Sequence, residues 1–363
     1  MIKNDHAAVS AEIEDRCALW PAGSLFFNAG GLTSNSGPAE LPLRNYLEAR
    51  GKLTYEAMYF PVGYPVRVLS NSAEVLAAAA QSWSSFNPVF HREPLEVLLD
   101  VKPDSDKNHT LPPAPTHMVK GALLVEVADI DNFFIADLKK GRALGRVTET
   151  TIRSSEYFRY FVLEAATLSM IASFRAAAIH AACVRVDGKG ILLCGDSGDG
   201  KSTLAFAGSK LGWTYVADDS TYLPMDRTDR LVVGNCSKVR FRPSGVELFP
   251  ELAGRPITPR ATGKPSIEVS MSEWPDISIS GTAFVDHLVF LNRKHVDKQE
   301  LVPLRPSTVW PWFRQYFLMS THEACIAQEA ALSRLLSAGI YEIRYNDLGW
   351  AIDRINQLAM RGK

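Results

Sequence analysis

The sequence has few cysteines, and their spacing is informative. Its 363 residues include only five, with no pair in a Cys-x-x-Cys arrangement. They are scattered along the chain at Cys17, Cys183, Cys194, Cys236 and Cys325. An odd number at these distances argues against a disulfide framework and against a zinc site, and it is typical of reduced thiols in a cytoplasmic protein.

The chain also lacks a surplus of charge and an unbroken apolar run. Its 39 Lys and Arg almost balance 40 Asp and Glu, so the composition gives no argument for nucleic acid or an acidic membrane surface as a partner. The most apolar long stretch, Phe161 to Cys183, is interrupted by Glu164 and Arg175, and the first residues contain no run of the signal-peptide type. We therefore expect a globular, cytoplasmic protein that does not span a membrane.

The length predicts two domains, because a single core rarely grows to 363 residues. We expect a small α+β domain over residues 1–150, in which Asn28–Gly37 is a loop by its composition. No cluster in this part has an obvious chemical purpose, and it could hold an acceptor or make subunit contacts. Residues 151–363 are expected to form the larger α/β domain.

Secondary structure in the second domain is predicted from periodicity and end signals. A long apolar helix is expected from Thr151 to Ala178, followed by His180 at the start of a strand. Leu231–Val233 and Lys238–Phe241 suggest neighbouring strands of a meander. Leu348–Met360 is predicted to be the closing helix.

One stretch carries the strongest chemical signal. Residues Gly195 to Ser202, GDSGDGKS, match GxxxxGK[ST] at every fixed position. Ile191–Cys194 before them is predicted to be a buried strand, and a helical pattern with Leu204, Phe206 and Leu211 on one face follows them. Strand, glycine-rich loop and helix form the context in which this motif, the P-loop, binds phosphates.

The residue types explain that chemistry. Glycines let backbone N–H groups turn toward a phosphate at the positive end of the following helix. Lys201 would reach the β- and γ-phosphates, and the Ser202 hydroxyl would bind Mg²⁺. ATP and Mg²⁺ are therefore the expected cofactors. The residues expected to contact the nucleotide are Gly195, Asp196, Ser197, Gly198, Asp199, Gly200, Lys201, Ser202 and Thr203.

A pair of carboxylates follows the next predicted strand, Thr214–Ala217. If this strand lies parallel and next to Ile191–Cys194, Asp218 and Asp219 open on the same crevice as the loop. Adjacent residues of an extended chain point in opposite directions, so one carboxylate could hold the metal while the other faces an incoming hydroxyl. The alternative is a helix cap or a solvated turn.

Basic residues further along form a second candidate group. Arg240 and Arg242 lie two apart, on one face, and could together clamp a phosphate or a carboxylate, or simply form a solvated basic face. The Pro- and Gly-rich segment from Arg255 to Pro265, with Arg260 and Lys264, could be a lid over the site.

The run from His180 to Asp219 resembles the catalytic core of the HPr kinase/phosphorylase family, which is related to the phosphoenolpyruvate carboxykinases. The matching pieces are Ile179-His180, the hairpin Asp187–Gly190, the GDSGDGKS loop and VADD at the end of the next strand. The glycine-rich signature that HPr kinases carry downstream is absent, and Arg240-Phe241-Arg242-Pro243 stands roughly in its place, so the likeness is to a divergent member. It covers about 40 of 363 residues.

The resemblance implies a P-loop kinase core with a mixed sheet and flanking helices, and the possibility of a homo-oligomer. It also implies that His180 faces a phosphate. The leading hypothesis is an ATP- and Mg²⁺-dependent kinase acting on a hydroxyl, a serine of a protein or peptide, with Asp218 as base and Asp219 on the metal. The alternatives are a small-molecule kinase and a regulatory module that binds nucleotide without transferring phosphate.

Overall fold

The computed structural model describes residues 53–104, 110–259, 265–294, 296–315 and 321–361. The loop predicted at Asn28–Gly37 and the basic residues Arg260 and Lys264 of the predicted lid lie outside these ranges.

The first part of the chain forms a seven-stranded mixed sheet, in the order β1-β2-β3-β7-β6-β5-β4. Its strands are β1 (Tyr55–Tyr59), β2 (Val66–Ser70), β3 (Leu95–Lys102), β4 (Thr116–Lys120), β5 (Leu123–Val127), β6 (Phe133–Asp137) and β7 (Arg142–Thr148). Strands β2, β3 and β7 are parallel neighbours, and the other pairs are antiparallel. Helix α1 (Ala73–Trp83), which begins after Ser72, connects β2 to β3.

The long helix predicted from Thr151 to Ala178 is divided and ends early. It consists of α2 (Glu149–Arg153), α3 (Ser155–Phe158), a π-helical stretch (Arg159–Glu164) and α4 (Ala165–Phe174). The Thr148 hydroxyl accepts a hydrogen bond from the Thr151 amide and caps α2. Ala176–Ile179 is a strand, β8, because it pairs with Thr221–Pro224. Pairing between distant segments overrides the helix propensity of its alanines.

The segmented helix packs on the first sheet. Phe158 and Leu163 belong to the same apolar core as Val97 of β3 and Phe134 of β6. The core of the first sheet therefore continues into the chain beyond residue 151.

The remaining chain is built on a second, nine-stranded sheet. Its strands, besides β8, are β9 (Ala181–Val186), β10 (Lys189–Cys194), β11 (Thr214–Ala217), β12 (Thr221–Pro224), β13 (Leu231–Gly234), β17 (Thr282–Asn292), β18 (Glu300–Pro303) and β19 (Gly339–Arg344). The order is β11-β9-β10-β17-β13-β12-β8, with β19 also against β17 and β18 against β19. Strand β17 runs parallel to both β10 and β19.

Helices cover both faces of this sheet. They are α5 (Lys201–Lys210), α6 (Pro306–Arg314), α7 (His322–Leu335) and α8 (Leu348–Met360). Alternate residues of β10 point to opposite sides: Leu193 packs in the core with α5 and α8, and Leu192 packs in the core with α6 and α7. A sheet buried on both faces defines the described chain as an α/β protein. Leu211 was predicted on the buried face of α5, but it is 70% exposed because the helix ends at Lys210.

A third, small sheet contains β14 (Lys238–Phe241), β16 (Pro265–Ser270) and β15 (Thr258–Pro259), in that order. The predicted meander of Leu231–Val233 with Lys238–Phe241 is therefore wrong, because β13 pairs with β12 and β17 whereas β14 pairs with β16. Val239 and Phe241 instead bury their side chains in the core that covers α5. Across the described ranges, no helix has the length and apolar character needed to cross a membrane.

Candidate functional site

A glycine-rich loop, residues 195 to 200, joins β10 to α5, as the sequence predicts. Gly198 and Gly200 have φ of 103° and 96°, a conformation that residues with a Cβ rarely adopt. A Cβ built on Gly198 would lie 2.9 Å from Nη2 of Arg242. The backbone conformation thus favours glycine at this position, whereas the guanidinium of Arg242 ends a flexible side chain that can shift.

Lys201 is buried directly beneath this loop and is only 5% exposed. Its ammonium donates hydrogen bonds to the carbonyl oxygens of Gly195 at 2.7 Å and Asp196 at 3.0 Å, and lies 3.1 Å from Nε2 of His180. Burial lowers the pKa of Lys201, while the nearby charge of Asp219 opposes that shift. The contacts hold the ammonium beneath the first residues of the glycine-rich loop.

His180 lies between β8 and β9 and links Lys201 to Asp219. Its Nδ1 is 3.3 Å from Oδ1 of Asp219. A protonated lysine has no acceptor, so Nε2 of His180 must accept and Nδ1 carries the proton toward the carboxylate. Burial lowers the pKa of His180, which agrees with a neutral imidazole. The three side chains form one polar line, Asp219–His180–Lys201.

The strand that precedes the Asp pair, β11, was predicted to lie beside β10, but it does not. Strand β9 lies between β10 and β11 and is antiparallel to both. Two antiparallel steps leave β11 running in the same direction as β10, so its carboxyl end still opens at the edge of the sheet where the loop lies. Asp218 and Asp219 therefore reach the predicted place by a different topology.

The two carboxylates make different contacts. Oδ2 of Asp218 accepts a hydrogen bond from the backbone amide of Arg240 at 2.9 Å, whereas Asp219 contacts His180. Both are among the charges that raise the pKa of Lys201 against the effect of burial. The pair thus connects the end of β11 to β14 on one side and to His180, just before β9, on the other.

Of the two arginines proposed as a clamp, one reaches the loop. Arg240 bonds Glu268 of the neighbouring strand at 2.5 Å. Nη2 of Arg242 lies 3.5 Å from the hydroxyl of Ser197, on the outer side of the glycine-rich loop. The shared clamp is not formed because Glu268 holds Arg240 along the small sheet.

Three further residues beside the loop were not found from the sequence. A Cβ on Gly200 would lie 3.2 Å from the hydroxyl of Tyr345 and 3.3 Å from Nη1 of Arg293. The Arg293 guanidinium lies 5.7 Å from the Tyr345 ring centroid, and Lys294 lies 3.9 Å from Asp199. These residues directly follow β17 and β19. One feature of the sequence could have identified them: they follow apolar strands directly, and parallel strands present ligand-binding groups at their carboxyl ends.

The donors at this site suit Mg²⁺ better than a soft metal. Ser202 and Thr203 lie in the first turn of α5 and are half-buried, and Asp219 supplies a carboxylate at the same edge of the sheet. No group of three or more His, Cys, Asp or Glu gathers as a metal site within the described ranges. One carboxylate and one hydroxyl, completed by phosphate oxygens and water, is a common way to bind Mg²⁺.

Fold and site together define an α/β protein with a glycine-rich loop and a buried lysine at a strand–helix junction. No family model matches the chain, and no curated protein matches its sequence. Among solved structures, it is similar to the Hpr(Ser) kinase/phosphatase from Coxiella burnetii, with 13% sequence identity and a TM-score of 0.30. That similarity covers 51% of this chain and 93% of the other. Likeness at this level carries no argument about function.

Proposed function

We propose that the protein is a phosphotransferase that binds ATP with Mg²⁺ at the glycine-rich loop and transfers the γ-phosphate to a hydroxyl. The observation that carries this proposal is the burial of Lys201 against two loop carbonyls and His180. Burying an ammonium is costly unless charged or polar partners compensate it. Polyphosphate bound in the loop would add the opposite charge that this position favours.

The chain supplies a group for each part of binding. Amides of residues 195 to 200 and the N-terminal end of α5 are suited to phosphate oxygens. Ser202 and Asp219 would hold Mg²⁺, which would neutralise charge on the phosphates. Arg242, Arg293 and Lys294 surround the loop with positive charge, which favours an anionic substrate.

Transfer requires a base and an oriented acceptor. In the proposed reaction the acceptor hydroxyl oxygen bonds to the γ-phosphorus, the bond to the β-phosphate oxygen breaks, and Asp218 takes the hydroxyl proton. Lys201 stabilises charge on the transferred group, and His180, whose tautomer Asp219 fixes, orients the Lys201 ammonium. Phosphoryl transfer depends mainly on this kind of positioning and electrostatic stabilisation.

We propose a serine of a protein or peptide as the acceptor. This part of the proposal is supported by the resemblance of the run from His180 to Asp219 to the HPr kinase/phosphorylase core. A small-molecule hydroxyl would use the same base and the same phosphate-binding residues, so a transfer experiment decides between the two acceptors.

Nucleotide binding is tested with a matched pair of lysines on the same helix. Calorimetry with ATP and Mg²⁺ is expected to show no measurable binding for Lys201→Ala. Lys210→Ala, in the last turn of α5 and paired with Glu251, is expected to bind as wild type does. Equal affinity of wild type and Lys201→Ala would overturn the proposal.

Transfer is tested by incubating the protein with labelled ATP and candidate peptides or small hydroxyl compounds. A kinase is expected to consume the γ-phosphate only when the acceptor is added, and the product gains one phosphate in mass. Binding of ATP without transfer to any acceptor would contradict the kinase and favour a regulatory nucleotide-binding module.

A further inference from the structure

The glycine-rich loop contains an aspartate that folds back onto the loop itself. The backbone amide of Asp196 donates to Oδ2 of Asp199 at 2.7 Å, and the amide of Asp199 donates to the carbonyl of Asp196 at 3.2 Å. These reciprocal bonds close the turn formed by residues 196 to 199. The turn fixes the two carbonyls, of Gly195 and Asp196, that hold the Lys201 ammonium.

The Asp199 side chain is well enclosed for a loop residue. It is 15% exposed, and a Cβ on Gly195 would lie 3.1 Å from its Oδ2. Its other oxygen is 3.9 Å from Lys294 on the loop after β17. Asp196, in contrast, is exposed, although it lies in the same turn.

This carboxylate has two opposing effects on an anionic ligand. As an acceptor it fixes the loop before the ligand arrives, and a preorganised site loses less entropy on binding. As a negative charge in a partly enclosed place it repels a bare polyphosphate. A ligand whose charge is reduced by a divalent cation is repelled less.

We propose that Asp199 is a positioning residue that pre-forms the phosphate-binding turn and makes the site selective for metal-complexed polyphosphates over metal-free ones. The selectivity rests on the proposed function, whereas the pre-formed turn is a property of the free protein.

Two substitutions separate the acceptor from the charge. Asp199→Asn keeps an oxygen that accepts from the Asp196 amide but removes the charge, and Asp199→Ala removes both. Asp199→Asn is expected to bind ATP with Mg²⁺ at least as tightly as wild type. Asp199→Ala is expected to bind it about tenfold more weakly than Asp199→Asn, which corresponds to about 1.4 kcal/mol. Equal affinities of the two variants would overturn the positioning role.

Selectivity is measured by calorimetry with ATP in excess Mg²⁺ and with ATP in EDTA. Wild type is expected to prefer the metal complex, and Asp199→Asn is expected to reduce that preference about tenfold by gaining affinity for metal-free ATP. If the ratio of the affinity for ATP with Mg²⁺ to the affinity for metal-free ATP is the same in Asp199→Asn as in wild type, the proposed selectivity is wrong.

The neighbouring carboxylate gives the control. Asp196→Asn and Asp196→Ala remove the same charge from the same turn, but the Asp196 carboxylate is not the acceptor of the turn. These two variants are expected to bind ATP equally. A difference as large as that between Asp199→Asn and Asp199→Ala would contradict the assignment to Asp199.

A second measurement does not need nucleotide. In the free protein, hydrogen exchange at the Asp196 amide is expected to be slow in wild type and Asp199→Asn and at least tenfold faster in Asp199→Ala. If neither wild type nor any variant binds ATP, the proposed function and the selectivity both fail. The exchange rates still decide whether Asp199 forms the turn. Equal exchange in all three proteins would overturn it.

Discussion

Asp219, His180 and Lys201 come from separate segments and form one line of polar contacts beside the glycine-rich loop. Asp218 precedes Asp219 directly, yet its carboxylate bonds the backbone of β14. Both aspartates lie in the bend that follows β11, and the different partners of their carboxylates allow different roles. We expect the two aspartates to be separable by substitution.

Asp218→Asn keeps the shape of the side chain but cannot take a proton from an acceptor hydroxyl. General-base assistance contributes on the order of 10²- to 10⁴-fold, so single-turnover transfer is expected to slow by a factor in that range. ATP affinity is expected to change little. Transfer as fast as in wild type would show that Asp218 is not the base, and His180 would be the next candidate.

Asp219→Asn is expected to behave differently, because it removes a charge proposed to bind Mg²⁺. ATP affinity and its dependence on Mg²⁺ are expected to weaken together in a titration of both ligands. If Asp218→Asn and Asp219→Asn instead show equal, modest losses of ATP affinity and of transfer, in proportion to their loss of thermal stability, the pair only caps a turn.

A buried carboxyl far from the loop allows a test at the level of stability. Glu126 of β5 is 2% exposed, and its Oε2 has no hydrogen-bond partner within the described ranges. Burial raises the pKa of Glu126 to about 8. The folded protein therefore keeps this proton while the unfolded chain loses it above its ordinary pKa of about 4.3.

The direction in which stability changes with pH follows from this difference in bound protons. As pH rises from about 4.3 toward 8, Glu126 reduces the free energy of unfolding, by an amount on the order of a few kcal/mol. We expect Glu126→Gln to be more stable than wild type at pH 8, with a much smaller advantage at pH 5, in urea unfolding at both pH values. Glu247→Gln, at an exposed position, is the control. An advantage that does not grow with pH would contradict the burial of an ionisable Glu126.

At the scale of elements, α5 depends on a close contact with the chain that leaves it. A Cβ on Gly208 would lie 2.1 Å from Cε3 of Trp213, whose buried ring also donates to Asn356 of α8 at 2.7 Å. The glycine allows the indole to pack against the helix that begins at the glycine-rich loop. Any side chain that replaces the hydrogen of Gly208 must displace the indole ring of Trp213.

Gly208→Ala is therefore expected to lower stability by about 1–3 kcal/mol, in spite of the better helix propensity of alanine. Gly349→Ala in the first turn of α8 is the matched control, since the nearest atom to its Cβ would be Oδ1 of Asp347 at 3.4 Å. Thermal unfolding of both variants measures the difference. Equal stability of the two would show that Trp213 moves without cost.

At the scale of the whole molecule, the two sheets share packed segments. The helices after Thr148 contribute Phe158, Leu163 and Met170 to the core of the first sheet, and Tyr222 of the second sheet packs in the same core. The residues proposed to bind the phosphates nevertheless all lie at or after His180. A cut at residue 151 keeps those residues but opens the core.

We expect a chain that begins at Thr151 to associate through the apolar surface that the first sheet covers in the full chain. Size-exclusion chromatography and ATP titration of the fragment and the full chain would test this. A monomeric, folded fragment with unchanged ATP affinity would show that residues 151–363 form an independent domain.

The sequence determined those parts of the protein that depend on neighbours along the chain. Strand β10, the glycine-rich loop and α5 follow from an apolar run, three glycines and a helical period, and α8 begins and ends at the predicted residues. The hairpin before β10 follows from Asp187-Gly188, both with positive φ. Local sterics and periodicity suffice for these elements.

Only the tertiary structure decided the rest. Ala176–Ile179 is a strand because β12 lies beside it, and β9 separates the two strands expected to be neighbours. Arg293 and Tyr345 reach Gly200 from positions about 90 and 145 residues further along the chain. Such contacts depend on which strands align, which is a property of the whole sheet and has no signal within a short stretch of sequence.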